Sequence, residues 1–334
     1  MKARLSGRGA LGLLAAVVIS AASTGCGPGF DPYNRLNSPR VLAIKSDPVA
    51  PAFGETTTLS AKTYVPIEDP TLTLHYDWSW CPVALGAGVP CPFTDAQVSD
   101  LAGVPVTLHL GDTETVDFTH DIPGDKLQTF CAGMPGFPAP DCTDGFPIQV
   151  RLFVCTETDP ARCTDPTTSV EAVRPLRLRF RDADQANANP TITGLHALIA
   201  GMDPPPDLQA TPSPTLVRKK ETVITADIHP DQDAEMYMGR DDNDQPALVY
   251  ERLTLSWFVE SGNTNHQRTS YIQGTTATGD ASDRVKWTPN YLKDEKDSLR
   301  ADVNMSRIVV IIRDNRDGVA WIEGNAQLVE EATP

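Results

Sequence analysis

A chain of 334 residues is too long for one small core and implies two domains of about 130–150 residues. Its charged (22%) and apolar (40%) fractions are globular, and 29 prolines and 23 glycines without long helical periodicity indicate a turn-rich all-β build. A net charge of −16 argues against nucleic acid or anionic lipid headgroups as electrostatic partners.

The first 25 residues read as a signal peptide. Lys2, Arg4 and Arg8 form a basic start, Ala10 to Ala22 is apolar, and Ser23-Thr-Gly precede Cys26. The apolar run falls short of the roughly 20 residues that span a bilayer. Removing three basic residues from 28 leaves 25 against 44 acidic, a net of −19 for the mature chain. Residues 26–39, rich in Gly, Pro and Asn, read as a tether.

The first domain is expected over 40–181. Val41–Ile44 opens it as a strand, Asp47 to Pro51 turns the chain, and a β-branched strand follows from Gly54 to Ala61. In Leu72-Thr-Leu-His-Tyr-Asp-Trp-Ser-Trp80 every second residue is large and apolar, the mark of a strand with one buried face. Burying one such Trp contributes about 4–6 kcal/mol gross, as an upper bound. Val104 to Leu110 alternates again, then Val116 and Phe118. Ile148–Val154 and Val170–Phe180 form the closing hairpin, with Arg177, Arg179 and Arg181 expected on its outer face as a solvated basic stripe, the alternative being a stripe for phosphate or carboxylate groups.

Apart from Cys26, the cysteines are Cys81, Cys91, Cys131, Cys142, Cys155 and Cys163. An even set in an exported chain reads as disulfides, all within the first domain. Neighbour pairing is the simplest connectivity, each loop contributing about 2.5–3 kcal/mol. A metal site is the other reading, although no Cys-x-x-Cys spacing is present.

Residues 182–190 read as a linker ending at Pro190, and 191–330 as a second domain repeating the order of the first. Ile192–Ile199 opens it, Glu221–Ala226 is the β-branched strand, and Leu253-Thr-Leu-Ser-Trp-Phe-Val259 is the Trp strand. Val285-Lys-Trp-Thr-Pro289 is a short strand. Ile308–Ile312, a turn at Asp314-Asn-Arg-Asp-Gly318 and Val319 to Leu328 form a hairpin.

Three resemblances follow. Gly25-Cys26 resembles the acylated cysteine of bacterial lipoproteins, departing at Ser23 where that motif prefers Leu. It implies lipid attachment at Cys26 and a cell-envelope location, with Gly27 pointing to the outer membrane; an ordinary secretory signal is the alternative. Ala226, Pro230, Asp231, Asp233, Leu253, Leu255, Trp257, Trp287, Thr288, Pro289, Asp314 and Gly318 resemble PKD-type repeats over about 190–330. The resemblance implies two tandem immunoglobulin-like β-sandwiches. The whole chain also looks like a group of uncharacterised Gram-negative lipoproteins with a signal, a tether and two such modules.

Chemistry is sparse in the sequence. Asp231, Asp233 and Asp242 are the first choices for a Ca²⁺ site in an acidic insertion, against a plain solvated loop. Met236 stands where an EF-hand needs Gly. Hydrolase, zinc-protease and nucleotide-binding motifs are not found, and six histidines are scattered. The expectation is a non-enzymatic, envelope-anchored module that acts as a spacer or binds a protein or glycan through loops 81–91, 131–147 or 231–251. The rivals are a carbohydrate-binding module using Tyr237, Tyr250 and Tyr271, and a hydrolase with a loop-assembled site.

Overall fold

β1 (Arg40–Asp47), β2 (Thr56–Tyr64) and β5 (Thr115–Thr119) make one antiparallel sheet, ordered β1-β2-β5. A second, ordered β4-β3-β6-β7, is built from β3 (His75–Cys81), β4 (His109–Gly111), β6 (Phe146–Cys155) and β7 (Ser169–Leu178). Both sheets feed one core that includes Leu59, Trp78, Trp80, Phe118, Val150 and Leu176. This three-plus-four arrangement, with the Trp strand central, is that of an immunoglobulin-like sandwich. A computed structural model describes residues 33–36, 38–65, 73–83, 85–86, 88–133, 139–142, 145–156, 169–180, 186–240, 245–272, 283–289 and 304–331. The chain from Asn34 onward forms one compact unit.

The second sandwich repeats the plan. β8 (Ile192–Leu198), β10 (Thr222–Ile228), β14 (Asn263–Thr264) and β16 (Arg284–Thr288) form one sheet, ordered β14-β16-β10-β8. β9 (Thr215–Val217), β13 (Arg252–Val259), β15 (Arg268–Ile272), β17 (Met305–Arg313) and β18 (Val319–Val329) form the other, ordered β15-β13-β17-β18-β9. β9 runs parallel to β18, the pairing that an immunoglobulin-like first strand makes when it crosses to the last. Between the sandwich strands a single helical turn, α3 (Pro230–Asp233), leads into a separate hairpin of β11 (Met236–Arg240) and β12 (Pro246–Tyr250).

The tryptophans on the two matched strands face inward. Trp78 and Trp257 are fully buried and Trp80 is nearly so. Each indole N–H is satisfied: Trp78 and Trp80 donate to the carbonyls of Thr113 and Thr107 at 2.8 and 2.9 Å, and Trp257 to the Thr269 hydroxyl at 3.0 Å. These bonds let the rings bury their area without an unpaired donor.

Two helices depart from the sequence expectation. α1 (Asp95–Ala102) opens at Thr94 with a capping box to Gln97 and ends at Gly103 in the left-handed region, φ 73°. It stands in a stretch to which the sequence assigned no element. It also holds Val104 to Leu108 out of a ladder, because Ser99 Oγ and Asp95 Oδ1 accept the Val106 and Leu108 N–H groups at 2.8 and 3.0 Å. α2 (Gly124–Cys131) buries Leu127 and Phe130. Each helix buries just two apolar side chains, too few to leave a periodic signature.

The junction between the sandwiches has its own apolar cluster of Leu36, Leu42, Ala43, Tyr64, Phe258, Val309, Ile311 and Val319, with Trp321 against it. The β13-β17-β18 sheet is therefore covered on both faces, which is why Ile308–Ile312 is apolar without alternation. Asn34–Leu36, in the stretch read as tether, lie along β13. The Leu36 N–H donates to the Val259 carbonyl at 2.9 Å, and the Val259 N–H to Asn34 O at 3.0 Å.

Disulfides join Cys81 to Cys91 and Cys131 to Cys142. Cys155 is also disulfide-bonded, and Cys163 lies outside the described residues. The basic stripe is corrected. Arg179 is buried, donating to the Ala50 carbonyl at 2.8 Å and pairing with Glu55 at 2.9 Å, while Arg177 pairs with Asp317 at 3.8 Å. Past the end of β7 the chain folds back under the β1–β2 turn, so strand alternation no longer assigns its side chains. Arg181 lies outside the described residues.

Candidate functional site

The turn joining β17 to β18 is the point where the hairpin, the linker and the first sandwich meet. Asp314 Oδ1 accepts the N–H groups of Arg316 and Gly318, both at 2.7 Å, and the Asp314 N–H donates to the Gly318 carbonyl at 3.1 Å. A Cβ on Gly318 would lie 1.9 Å from Asp314 Oδ2, so this close approach admits only glycine. Asn187 Nδ2 donates to Asp314 Oδ2 and to the Arg316 carbonyl at 3.1 and 3.0 Å. Asn189 bridges the sandwiches, accepting the Val319 N–H and donating to the Ser46 carbonyl, each at 2.8 Å.

On its outer side the turn holds the β11–β12 hairpin. Asn315 Nδ2 donates to the Tyr237 hydroxyl at 2.7 Å, and the Arg316 guanidinium lies 4.8 Å from the Tyr237 ring centroid. Arg316 also pairs with Glu251 at 3.1 Å and Glu235 at 3.7 Å. Glu251 is fully buried, and burial, reinforced by the charge of Asp314, pushes its carboxyl up to about 7 against the pull of Arg316.

Register then decides what the hairpin presents. Met236 pairs with Tyr250 and Met238 with Leu248, so these four side chains share one face. All four are exposed, from 47% at Tyr250 to 62% at Leu248. The other face carries Tyr237 and Val249, turned toward the Asp314–Gly318 turn. The hairpin thus presents four exposed apolar side chains on its outer face.

The other sequence candidates disperse. Asp231 lies in α3 after Pro230, Asp233 accepts the Thr191 hydroxyl at 3.1 Å, and Asp242 lies outside the described residues, as does Cys26. The three tyrosines do not form one strip. Tyr237 and Tyr250 are on opposite hairpin faces, and Tyr271 packs against the second core. Among the described residues, one group has metal-ligand spacing: exposed His109 lies 3.2 Å from Asp77 and 3.5 Å from Asp112.

The hairpin itself escaped sequence reading because Asp241-Asp-Asn-Asp244 made the whole stretch resemble a solvated acidic loop. The usable signal was the pair of short alternations, Met236-x-Met238 and Leu248-x-Tyr250, on either side of it.

No family model and no curated protein matches the chain. Among solved structures, it is similar to the three N-terminal domains of the bacteriophage RB49 highly immunogenic outer capsid protein, with 12% identity over 86% of this chain and a TM-score of 0.18. The chain spans 58% of that three-domain fragment. It is also similar to the N-terminal Ig1-2 module of Drosophila receptor protein tyrosine phosphatase DLAR, with 9% identity over 87% of this chain and 99% of that one, and a TM-score of 0.22. A third is Bacteroides ovatus SGBP-B in complex with a mixed-linkage heptasaccharide, with 7% identity over 88% of this chain and 70% of that one, and a TM-score of 0.19.

Proposed function

We propose that the chain is a non-enzymatic binding module of the bacterial envelope, lipid-anchored through Cys26 in the outer membrane, which holds a protein partner on the outer face of the β11–β12 hairpin. The observation that carries this reading is the cross-strand placement of Met236 with Tyr250 and Met238 with Leu248, four exposed apolar side chains on one face. Two flexible methionines give a surface that adapts to another protein's side chains. A single exposed tyrosine is a poor stacking platform for a glycan, which favours protein over carbohydrate. The mature net charge of −19, with three aspartates between the strands, calls for a partner whose apolar strip is rimmed by basic residues.

Both sandwiches support the presentation. The Asp314–Gly318 turn fixes the hairpin base, and the junction cluster fixes the two sandwiches against each other. The test is a photo-crosslinking residue placed at Leu248 in the cellular protein, with Phe53, an exposed residue of the first sandwich, as control. The reading expects a discrete protein adduct from Leu248 that weakens as salt rises. Identical labelling from both positions contradicts it.

A further inference from the structure

Where the two sandwiches meet, a cleft of about 300 Å³ is lined by β1 from Val41 to Ile44, β7 from Ala172 to Pro175, and the β17–β18 turn with Asp317 and Val319. Arg174 lies on the same side of β7 as Leu176 and Leu178, where strand alternation would place another core residue, and it is 8% exposed. Its Nη1 donates to the Ile44 carbonyl. Its Nη2 is buried and has no hydrogen-bond partner.

The acids beside it do not supply one. Asp314 spends Oδ1 on two backbone N–H groups and Oδ2 on Asn187. Asp317, held in the left-handed region at φ 78°, is paired with Arg177 at 3.8 Å. Arg313, the third cation at this junction, donates to the Ser256 hydroxyl at 3.3 Å and the Leu42 carbonyl at 2.7 Å. The guanidiniums of Arg174, Arg177 and Arg313 thus lie beside the carboxylates of Asp314 and Asp317 among the described residues, and neither carboxylate hydrogen-bonds Arg174 Nη2. Burial holds both carboxyls above their ordinary range.

A desolvated guanidinium with a free N–H edge is the standing partner of a carboxylate, whose two oxygens match its fork. We propose that this cleft binds a small monocarboxylate, its oxygens accepting from Arg174 Nη2 and its short apolar body lying against Val41, Pro175 and Val319. The volume admits a ligand of this size and larger monocarboxylates as well. Because its walls come from both sandwiches, the occupant also clamps the junction. The site is separate from the hairpin face and stands or falls independently of it.

Isothermal titration calorimetry of the full chain tests this with propionate and, as the neutral isostere, propionamide. Saturable propionate binding is expected, with Kd in the range of about a millimolar for a ligand of five heavy atoms, and propionamide at least about tenfold weaker. Arg174→Met should abolish the heat, and Ala172→Leu, which fills the cleft and leaves Arg174 in place, should do the same. Near-ultraviolet circular dichroism of the buried tryptophans reports whether each variant is folded. Equal binding of acid and amide by the unmodified chain overturns the proposal. So does propionate binding that survives both substitutions, or the absence of saturable heat from propionate, butyrate and benzoate alike.

Discussion

The Arg316 guanidinium rests over the Tyr237 ring at 4.8 Å, so a turn of the second sandwich and the base of the exposed hairpin are one mechanical element. Tyr237→Ala removes this stacking, worth about 0.5–1 kcal/mol, and the hydrogen bond from Asn315, worth about 1 kcal/mol. Amides of Met236–Tyr250 should then exchange at least about tenfold faster, with β13 and β17 unchanged. Faster exchange throughout both cores would instead make Tyr237 a general stabiliser.

Asp314 organises the same turn from inside. Asp314→Ala leaves two backbone N–H groups and the Asn187 amide without their acceptor, for a loss of about 2–4 kcal/mol. Thermal unfolding measures it. Asp314→Asn keeps one acceptor oxygen toward the backbone and should lose less.

Glu251 predicts how stability depends on pH. Its folded carboxyl titrates near 7, above the ordinary 4.5, so between these values the folded state holds a proton that the unfolded state has released. Stability therefore falls as pH rises through that window, by up to about 3 kcal/mol. Glu251→Gln should flatten the decline. His120 works in the opposite sense. Burial lowers its pKa below 6.5, so its contribution is lost as pH falls below that value, and His120→Leu should remove this acid-side loss. Denaturant midpoints from pH 5 to 8 separate the two.

Phe258, fully buried between the sandwiches although it alternates with core-facing Trp257, predicts cohesion of the pair. Phe258→Ala should lose about 3–5 kcal/mol. Phe258→Asp, which places a charge in the junction, should split one urea transition into two as monitored by tryptophan fluorescence. A single transition in that variant would show that the junction contributes little.

The sequence revealed most where a pattern was long or chemically marked. Leu253, Leu255 and Trp257 announced their strand by period two, the Asp314–Gly318 turn by its residues, and the disulfides Cys81–Cys91 and Cys131–Cys142 by spacing. What period two could not supply was the second buried face. Phe258, Val309 and Ile311 look redundant until another sandwich covers them. Arg174 was illegible for a related reason. Its neighbours in space come from β1 and from the turn after β17, which no local window contains. The hairpin was hidden because aspartates set the average character of its stretch, and only pairing register puts Met236, Met238, Leu248 and Tyr250 on one side.

The claim that the hairpin face recognises a protein is tested most directly with Cys26→Ser protein, which lacks the proposed acylation site, cosedimented with isolated envelope membranes. The account predicts saturable retention that falls at least about tenfold in a Met238→Glu, Leu248→Glu double variant whose melting temperature is unchanged. Equal retention of the two proteins would contradict it.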